Sequence, residues 1–571
     1  MRGSAPSSPR EWFERAIAAE RGGSPQEAER IIGQAVETFP REAELHNAAA
    51  NIAMRRRDFT LAAQRFAAAQ NIAPAHLPYA INRAIALTEG GAPRDALRVL
   101  EQCESAGKSD PRYCSSRANA ARLAGDLAQA AIWYDRALGL DSGNAKALAG
   151  RARVALERNE ADALPRIDRA LQREPGDAHL WLAKAQALDM TGDRQGALSL
   201  TRQIVDQAPA WRPALDLLVQ LRLAAGDTDF ASHFDEAARR APQDPEIPAG
   251  HIAALAALER FDDAAECARK AQERFEGREN FVLLEATFAS AAGDDVRADA
   301  AFARLQEDSI DRALHEARHG LRTQNWRMAE EALDRARAFS PFDVAAWGLI
   351  GLLWRATQDE RAQWLHEQEG LVRLMPLADA EAVLPDAVAL LRRVHQTTAF
   401  PHDQSLRGGT QTRGILFDRP EPELAALRQA IMQSLENFRT QLPEADPDHP
   451  LLRYRNTPWT LAGSWSVRLL GGGDHHAAHI HPLGVLSSAL YLIMPQVDHA
   501  EAEAVLEIGR PPPDLRLDLP PLQRITPAEG HLALFPSTLY HGTTGFPAGE
   551  RMTVAFDVVT DTQTDRTSMT G

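Results

Sequence analysis

A recurring spacing of 34 residues constrains the fold of this chain more than any other feature of its sequence. From about residue 10 the chain is rich in Ala, Leu, Arg and Glu at helical spacing, and prolines follow successive predicted helices. Steps of 34 residues separate Pro40 from Pro74, Pro175 from Pro209, and Gly192 from Gly226. The two glycines belong to Gly-Asp turns, in which glycine ends one helix and the following residues begin its partner. The pattern predicts helix pairs that stack, because one pair cannot bury its apolar face alone.

The period, the glycine turn and the closing proline resemble the tetratricopeptide repeat over roughly residues 10–375. Small residues at the predicted helix contacts, Ala130, Ala197 and Ala264, agree with this resemblance. It implies an α-solenoid with a concave groove, and we expect a peptide or protein substrate or partner in that groove. A dimerisation or spacer arm is the alternative, and the sequence leaves the oligomeric state open.

The character of the sequence changes near residue 380. Residues 376–445 combine loop signals with one amphipathic helix and predict a connector that is part helix and part loop. Residues 446–560 carry short strand-like runs between Gly and Pro turns, among them GVLSSALYLIMP and RMTVAFDVV. Such runs predict a mainly β domain, an antiparallel sandwich or barrel. We expect residues 561–571 to form a flexible tail.

Histidines precede one of these strand-like runs in the stretch GGGDHHAAHIHP. In an extended chain His479 and His481 lie on the same side and can reach one metal ion, because side chains alternate between faces. A third histidine, His541, ends another strand-like run, and Arg551 and Thr553 share one face of a later strand. Imidazole is a common ligand of iron, zinc, copper and nickel. These residues are therefore the candidate metal and anion ligands of the chain.

Several blocks of residues 395–560, including GSWSVRL, HIHPLGVLSSALYL and LALFPSTLYHGTTGFPAGERMTVAFDVV, resemble a bacterial family of 2OG-Fe(II) oxygenases that is often fused to tetratricopeptide repeats. The resemblance implies a jelly-roll domain that uses Fe(II), 2-oxoglutarate and dioxygen. By position it implies His479 or His481 as early-strand ligands, His541 as the distal ligand, Arg551 with Thr553 as the 2-oxoglutarate anchor, and Tyr491 and Ser488 as further cosubstrate candidates. It predicts hydroxylation of a peptide or protein that the repeats present.

The histidine pattern departs from the commoner facial triad, whose first strand reads HxD or HxE. Two residues after His479 stands His481, and two residues after His481 stands Leu483, which cannot bind a metal. Either three imidazoles bind the iron, or two do and water takes the third place. The pattern is similar to that of the aspartyl/asparaginyl hydroxylases, which also lack the acid. We favour the trio of His479, His481 and His541.

Two other functions compete with the oxygenase. The spacing from Gly473 to His479 and His481 fits the opening of a cupin motif, but no Glu follows at the expected distance, since the first acids are Asp498 and Glu501. A cupin-type metal enzyme that does not use 2-oxoglutarate is thus the enzymatic alternative. A non-catalytic repeat scaffold is the third possibility, and it leaves His541, Arg551 and Thr553 without a purpose. We interpret His475 and His476 as loop residues near the mouth, and GGTQT from Gly408 as a tight turn.

Composition excludes several other classes of protein. A formal net charge of −16 and a pI near 5.6 argue against a nucleic-acid binder, which needs Lys and Arg for phosphate contacts. Cysteine is scarce, with Cys103, Cys114 and Cys267 and no CxxC spacing, as is typical of a reducing compartment. We find neither the apolar core of a signal peptide nor a membrane-length apolar run. The sequence therefore predicts a cytoplasmic protein with no nucleic-acid or membrane partner.

Overall fold

The computed structural model describes residues 8–395, 406–496 and 503–560. The chain forms two compact units, Met1–Lys184 and Ala185–Gly571. The first consists of helices, and the second contains further helices followed by the strands. The predicted tail, residues 561–571, lies outside the described residues, as does part of the predicted connector.

The helices in chain order are α1 (Pro9–Arg21), α2 (Pro25–Thr38), α3 (Ala43–Arg55), α4 (Phe59–Ile72), α5 (Leu77–Glu89), α6 (Pro93–Glu101), α7 (Glu104–Gly107), α8 (Pro111–Leu123), α9 (Leu127–Leu140), α10 (Ala145–Glu157), α11 (Ala163–Arg173), α12 (Ala178–Met190), α13 (Arg194–Gln207), α14 (Arg212–Ala224), α15 (Ser232–Arg240), α16 (Glu246–Ala257), α17 (Phe261–Arg274), α18 (Glu279–Ala292), α19 (Asp295–Phe302), α20 (Ile310–Arg322), α21 (Trp326–Phe339), α22 (Val344–Ala356), α23 (Arg361–His366), α24 (Ala380–His395) and α25 (Pro422–Thr440).

The Gly-Asp turns explain why helices end and begin at regular intervals. Gly125 has a φ of 86°, a left-handed value that suits glycine because it has no Cβ. The carboxylate of the next residue, Asp126, accepts the N–H of Gln129 at 2.9 Å and so caps α9. The same turn recurs at Gly192-Asp193 and Gly293-Asp294. Ala130, Ala197 and Ala264 follow such turns or helix starts, are fully buried and allow neighbouring helices to approach closely.

The strands in chain order are β1 (Arg373–Pro376), β2 (Leu406–Arg407), β3 (Thr410–Gln411), β4 (Trp459–Gly471), β5 (His475–His476), β6 (Leu486–Ile493), β7 (Leu506–Ile508), β8 (Gln523–Ile525), β9 (His531–Pro536), β10 (His541–Thr543) and β11 (Ala548–Thr560). They form a larger sheet in the order β1-β9-β6-β11-β4-β3, a smaller sheet in the order β10-β7-β8, and the pair β2-β5. Every pairing is antiparallel. Helical repeats followed by an antiparallel β domain confirm the predicted fold class.

The two faces of the larger sheet bury different partners, because side chains alternate along each strand. On one face Leu490 and Phe556 belong to a cluster that includes residues of α24 and α25. On the other face Tyr491 joins a cluster with Leu506 and Ile508 of the smaller sheet. The space between the sheets therefore lies on the side of Tyr491.

The last helices before the strands pack directly against the β domain within the second unit. Trp347 of α22 shares a hydrophobic cluster with Leu515 and Tyr540, and Ile480 packs against this cluster. A Cβ on Gly348 would lie only 3.1 Å from the carbonyl oxygen of Thr538, and 3.5 Å from the side chains of both Ile480 and Tyr540. Glycine at this position therefore lets α22 come close to the segments that carry the candidate metal ligands.

Polar contacts reinforce the same packing. Arg318 and Arg322 of α20 both form ion pairs with Asp514, at 2.7 and 2.5 Å. Arg355 of α22 donates to the carbonyls of Gly509 and Pro520. These arginines bind the segment between β7 and β8 to the last helix pairs.

Strands also occur outside the predicted β segment of residues 446–560. β1 pairs with β9, and β3 pairs with β4, although both precede residue 446. GGTQT forms the predicted turn, with positive φ at Gly408 and Gly409 before β3. The domain boundaries 10–375, 376–445, 446–560 and 561–571 stay a prediction. Across the described residues, none of the helices combines the length and the apolar character needed to span a bilayer.

Buried histidines support the β domain in their neutral form. His449 is fully buried; its Nδ1 accepts the N–H groups of Leu451 and Leu452 at 3.1 Å, and its Nε2 donates to the carbonyl of Leu365 at 3.0 Å. Burial lowers its pKa to about 4, against the opposing effects of the Leu365 carbonyl and Asp446. Burial also lowers the pKa of His366 to about 3 and that of His395 to about 4.

We expect the protein to lose stability as the pH falls from about 6.5 towards 4. In this window the unfolded chain binds protons on histidines, with a pKa near 6.5, whereas the folded chain does not, so the free energy of unfolding decreases. Each such histidine contributes up to about 3 kcal/mol. Thermal unfolding measured between pH 7.5 and 4.5 should show a flatter pH dependence in His449→Asn, whose Oδ1 can accept the same two N–H groups without titrating. An equally steep dependence in this variant would contradict the assignment to His449.

Candidate active site

An antiparallel bridge joins His479 to His541 and places their side chains together. The N–H of His479 donates to the carbonyl of His541 at 3.0 Å, and the N–H of His541 donates to the carbonyl of His479 at 2.9 Å. His541 begins β10, which pairs with β7. The bridge therefore attaches the His479 segment to the edge of the smaller sheet.

Three imidazole rings converge at this bridge. One ligand atom from each of His479, His481 and His541 lies within 4.8 Å of the others. The Nε2 atoms of His479 and His481 are 3.0 Å apart, and the ring centroids of His479 and His541 are 4.4 Å apart. The structure thus brings together the three residues that we predicted as metal ligands; their role as ligands stays a prediction.

Each of the three rings has its Nδ1 beside a hydrogen-bond acceptor: Ala477 O at 2.8 Å for His479, Asp557 Oδ1 at 2.5 Å for His481, and Leu539 O at 3.1 Å for His541. An acceptor at Nδ1 favours the tautomer with its proton there and leaves a lone pair on Nε2. In these tautomers the Nε2 atoms of His479 and His481, which are 3.0 Å apart, both present a lone pair. A bound cation would relieve their repulsion.

Burial keeps the imidazoles of His479 and His541 neutral. Burial lowers the pKa of His479 to about 3, and the neighbouring His481 lowers it further. Burial, with the nearby His479 and His481, holds the pKa of His541 well below its ordinary value. Neutral imidazoles are the form that binds a metal ion, so this donor set is ready to bind at neutral pH. The three nitrogens fit Fe(II) and other first-row divalent metals.

Arg551 lies in the same interior with no anionic partner among the described residues. Its side chain is buried, with 3% of its surface exposed, and its Nη1 has no hydrogen-bond partner. The buried Tyr491 hydroxyl also has none, and the Arg551 guanidinium lies 5.5 Å from the centroid of the Tyr491 ring. Burial lowers the pKa of Arg551. A buried guanidinium is costly unless an anion pairs with it, so the arrangement suits a carboxylate ligand.

Thr553 and Tyr491 face each other across β11 and β6, two residues along from Arg551, and so share its side of the sheet. Ser488 is used differently: its hydroxyl donates to the carbonyl of Phe556 at 2.7 Å and accepts the Phe556 N–H at 2.9 Å. Both hydrogen bonds stay within the sheet. The cosubstrate contacts of Tyr491 and Ser488 stay predictions.

The two histidines that precede His479 do not lie in a loop, as we predicted, but in a strand. His475 and His476 form β5, which pairs with Leu406 and Arg407 of β2. The interpretation as loop residues was wrong because the partner strand is 70 positions away and leaves no local signal. His476 stacks at 6.0 Å from His479, and burial, with His479 and Arg551 nearby, holds its pKa well below the ordinary value. His476 is therefore close to both His479 and Arg551.

Asp557 is the contact that sequence reasoning missed. Its carboxylate accepts from Nδ1 of His481, and it lies on β11, as Arg551 and Thr553 do. The available signal was the strand period of two, since positions 551, 553, 555 and 557 share a face in a regular strand.

These features define the chain first as a helical-repeat protein whose C-terminal β domain presents three converging histidines and a buried arginine. Comparison with known families then adds names. Residues 463–557 match the family described as "Putative 2OG-Fe(II) oxygenase", and residues 13–76 and 81–145 match the tetratricopeptide repeat. The chain thus contains tetratricopeptide repeats and a domain of this oxygenase family, which confirms both resemblances.

Solved structures with partial similarity are helical-repeat proteins. A tetratricopeptide repeat protein from Parabacteroides merdae is 16% identical with a TM-score of 0.35, over 49% of this chain and 98% of that protein. Yeast Tom70 is 12% identical with a TM-score of 0.36, over 62% of this chain and 96% of its own. At these scores neither supports a conclusion about binding or activity. No curated protein matches the sequence.

Proposed function

We propose that this protein is an Fe(II)- and 2-oxoglutarate-dependent dioxygenase that hydroxylates a peptide or protein substrate. One observation carries the proposal: one imidazole nitrogen from each of three histidines lies within 4.8 Å of the others, while a buried Arg551 without an anionic partner among the described residues lies in the same interior. A metal site alone explains the histidines, but it does not explain Arg551, because a buried guanidinium without an anionic partner costs free energy. The family of residues 463–557 supports the same assignment.

His479, His481 and His541 would hold the iron through Nε2, oriented by the acceptors at Nδ1. Fe(II) with 2-oxoglutarate and dioxygen supplies the oxidation of a C–H bond when bound. Three protein ligands leave coordination positions for the cosubstrates. The fixed rings require little reorganisation when a cation binds.

Arg551 would pair bidentately with the far carboxylate of 2-oxoglutarate, which replaces a missing partner rather than breaking an existing ion pair. The hydroxyls of Thr553 and Tyr491 would donate to the same carboxylate from β11 and β6. Burial of all three side chains excludes water from this end of the site. The residues thus orient the cosubstrate through fixed hydrogen-bond donors.

The peptide or protein substrate is proposed from the first unit considered alone. Helices α3, α5 and α8 present a row of polar side chains, in which Arg112 donates to Asn82 at 3.4 Å and Asn82 donates to Asn47 at 3.5 Å. Partly buried amide groups in a row can bind the backbone of an extended peptide. The predicted cytoplasmic location stays a prediction.

An anaerobic titration tests the proposal. Apo-protein receives Fe(II) and then 2-oxoglutarate while the visible spectrum is recorded, and we expect a charge-transfer band that needs both additions. Tight metal binding without this band would favour a cupin-type metal enzyme. No metal binding would favour a repeat scaffold with an inert β domain.

A further inference from the structure

Asp557 lies at a β-bulge in β11. The pairing of β11 with β4 shifts register between Asp557 and Val558, and such bulges re-aim side chains. Glycines flank the position: a Cβ on Gly484 would lie 3.1 Å from the Asp557 Cβ, and one on Gly463 would lie 3.9 Å from its carboxylate. The bulge and the tight contact at Gly484 leave room for the Asp557 side chain next to the candidate metal centre.

The carboxylate makes His481 different from the other two histidines. His479 and His541 place Nδ1 against neutral backbone carbonyls, whereas His481 places Nδ1 against the Asp557 Oδ1 at 2.5 Å. Both side chains are mostly buried, at 13% and 14% exposure. A charged acceptor in a partly buried position polarises the imidazole more strongly than a carbonyl does.

No lysine or arginine among residues 8–395, 406–496 and 503–560 forms an ion pair with Asp557. Other acids of the β domain differ in this respect, since Glu550 pairs with Arg392 and Arg468, and Glu507 pairs with Arg510 and Arg524. The negative charge of Asp557 is therefore directed at His481.

We propose that Asp557 is a positioning residue for the metal centre. It lies outside the set of metal ligands and replaces the carboxylate that is itself a ligand in an HxD or HxE triad. This inference rests on the proposed metal-binding function. Asp557 fixes the tautomer and orientation of His481 and strengthens the electron donation of its Nε2 to a bound metal ion. Three neutral imidazoles with one hydrogen-bonded carboxylate then give the centre the same total charge as two imidazoles with one bound carboxylate.

Carboxylates that support a metal-binding histidine typically contribute about 10–100-fold to metal affinity. Asp557→Asn keeps an acceptor for the His481 N–H and removes the charge, so it isolates the electrostatic contribution. Asp557→Ala removes both, and Asp557→Glu restores the charge. Glu550→Gln is the matched control, because Glu550 is an acid on the same strand that pairs with Arg392 and Arg468.

The test is an anaerobic titration of the full-length variants with Co(II), followed by its visible d–d absorption, together with thermal unfolding of the metal-free proteins. We expect Asp557→Asn to weaken Co(II) binding about 10-fold and Asp557→Ala up to about 100-fold, with a shifted absorption band. Asp557→Glu should recover part of the affinity, and Glu550→Gln should bind like the wild type.

Unchanged Co(II) affinity and spectrum in Asp557→Asn, with or without a lower melting temperature, would overturn the role of Asp557 while leaving the metal centre intact. If Asp557→Asn does not fold, Asp557→Glu decides: binding as weak as in Asp557→Ala would overturn the role of the charge. Failure of the wild type to bind Co(II) would overturn the proposed metal centre and the inference with it.

Discussion

Replacing His541 with alanine is expected to weaken Co(II) or Fe(II) binding about a thousandfold and to reduce 2-oxoglutarate turnover to background. One of three protein ligands disappears, and a loss of about 4 kcal/mol of binding free energy corresponds to this factor. The backbone bridge between His479 and His541 does not depend on the side chain, so the variant should keep its fold. Metal titration and succinate formation measure the two effects.

His531→Ala is the control for this substitution. His531 lies at the start of β9, outside the histidine cluster, and its Nδ1 lies 3.0 Å from the backbone carbonyl of Glu529. It should bind metal and turn over 2-oxoglutarate like the wild type. Retention of metal binding by His541→Ala would mean that His479 and His481 suffice, with water as a third ligand.

Arg551→Met is expected to raise the KM for 2-oxoglutarate about 100-fold and to change metal affinity less than threefold. Loss of a buried, bidentate charge pair costs about 2–5 kcal/mol of binding, whereas the histidines are untouched. The metal-free variant should also melt at a higher temperature than the wild type, because methionine removes a buried charge without a partner. Steady-state kinetics and thermal unfolding with and without 2-oxoglutarate measure these changes.

Two further variants serve as controls for the effect of Arg551→Met on the KM for 2-oxoglutarate. Arg551→Lys keeps the charge without the planar pair of donors and should show an intermediate KM. Arg392→Met removes an exposed arginine that pairs with Glu550 and should leave the KM unchanged. Equal loss of metal and 2-oxoglutarate binding in Arg551→Met would indicate damage to the fold and contradict an anchoring role.

Local periodicity predicted the parts of the site that depend on neighbours in sequence. Alternation along an extended chain was sufficient to predict that His479 and His481 share a side, and their Nε2 atoms lie 3.0 Å apart. The same rule placed Thr553 with Arg551 on one face of β11. Gly-Asp turns likewise predicted where helices end, because glycine conformation and aspartate capping act within a few residues.

Contacts between distant segments were not predictable from these patterns. Asp557 meets His481 across 76 positions, and His475 pairs with Arg407 across 68 positions, so neither contact has a local signature. The same holds for Arg318 and Asp514. Such contacts depend on how the strands and the last helices come together, which is decided by tertiary packing rather than by propensity.

Trp347 of α22 packs in one hydrophobic cluster with Ile480 and Tyr540. This contact determines how the helical repeats could be lengthened, shortened or exchanged. Ile480 separates two of the converging histidines, and Tyr540 immediately precedes the third. A chimaera that grafts foreign repeats onto the β domain would therefore need to retain the native helices from α20 onward. Recombination that alters partner choice is better tolerated upstream of α20, while the helices from α20 onward are inherited together with the β domain.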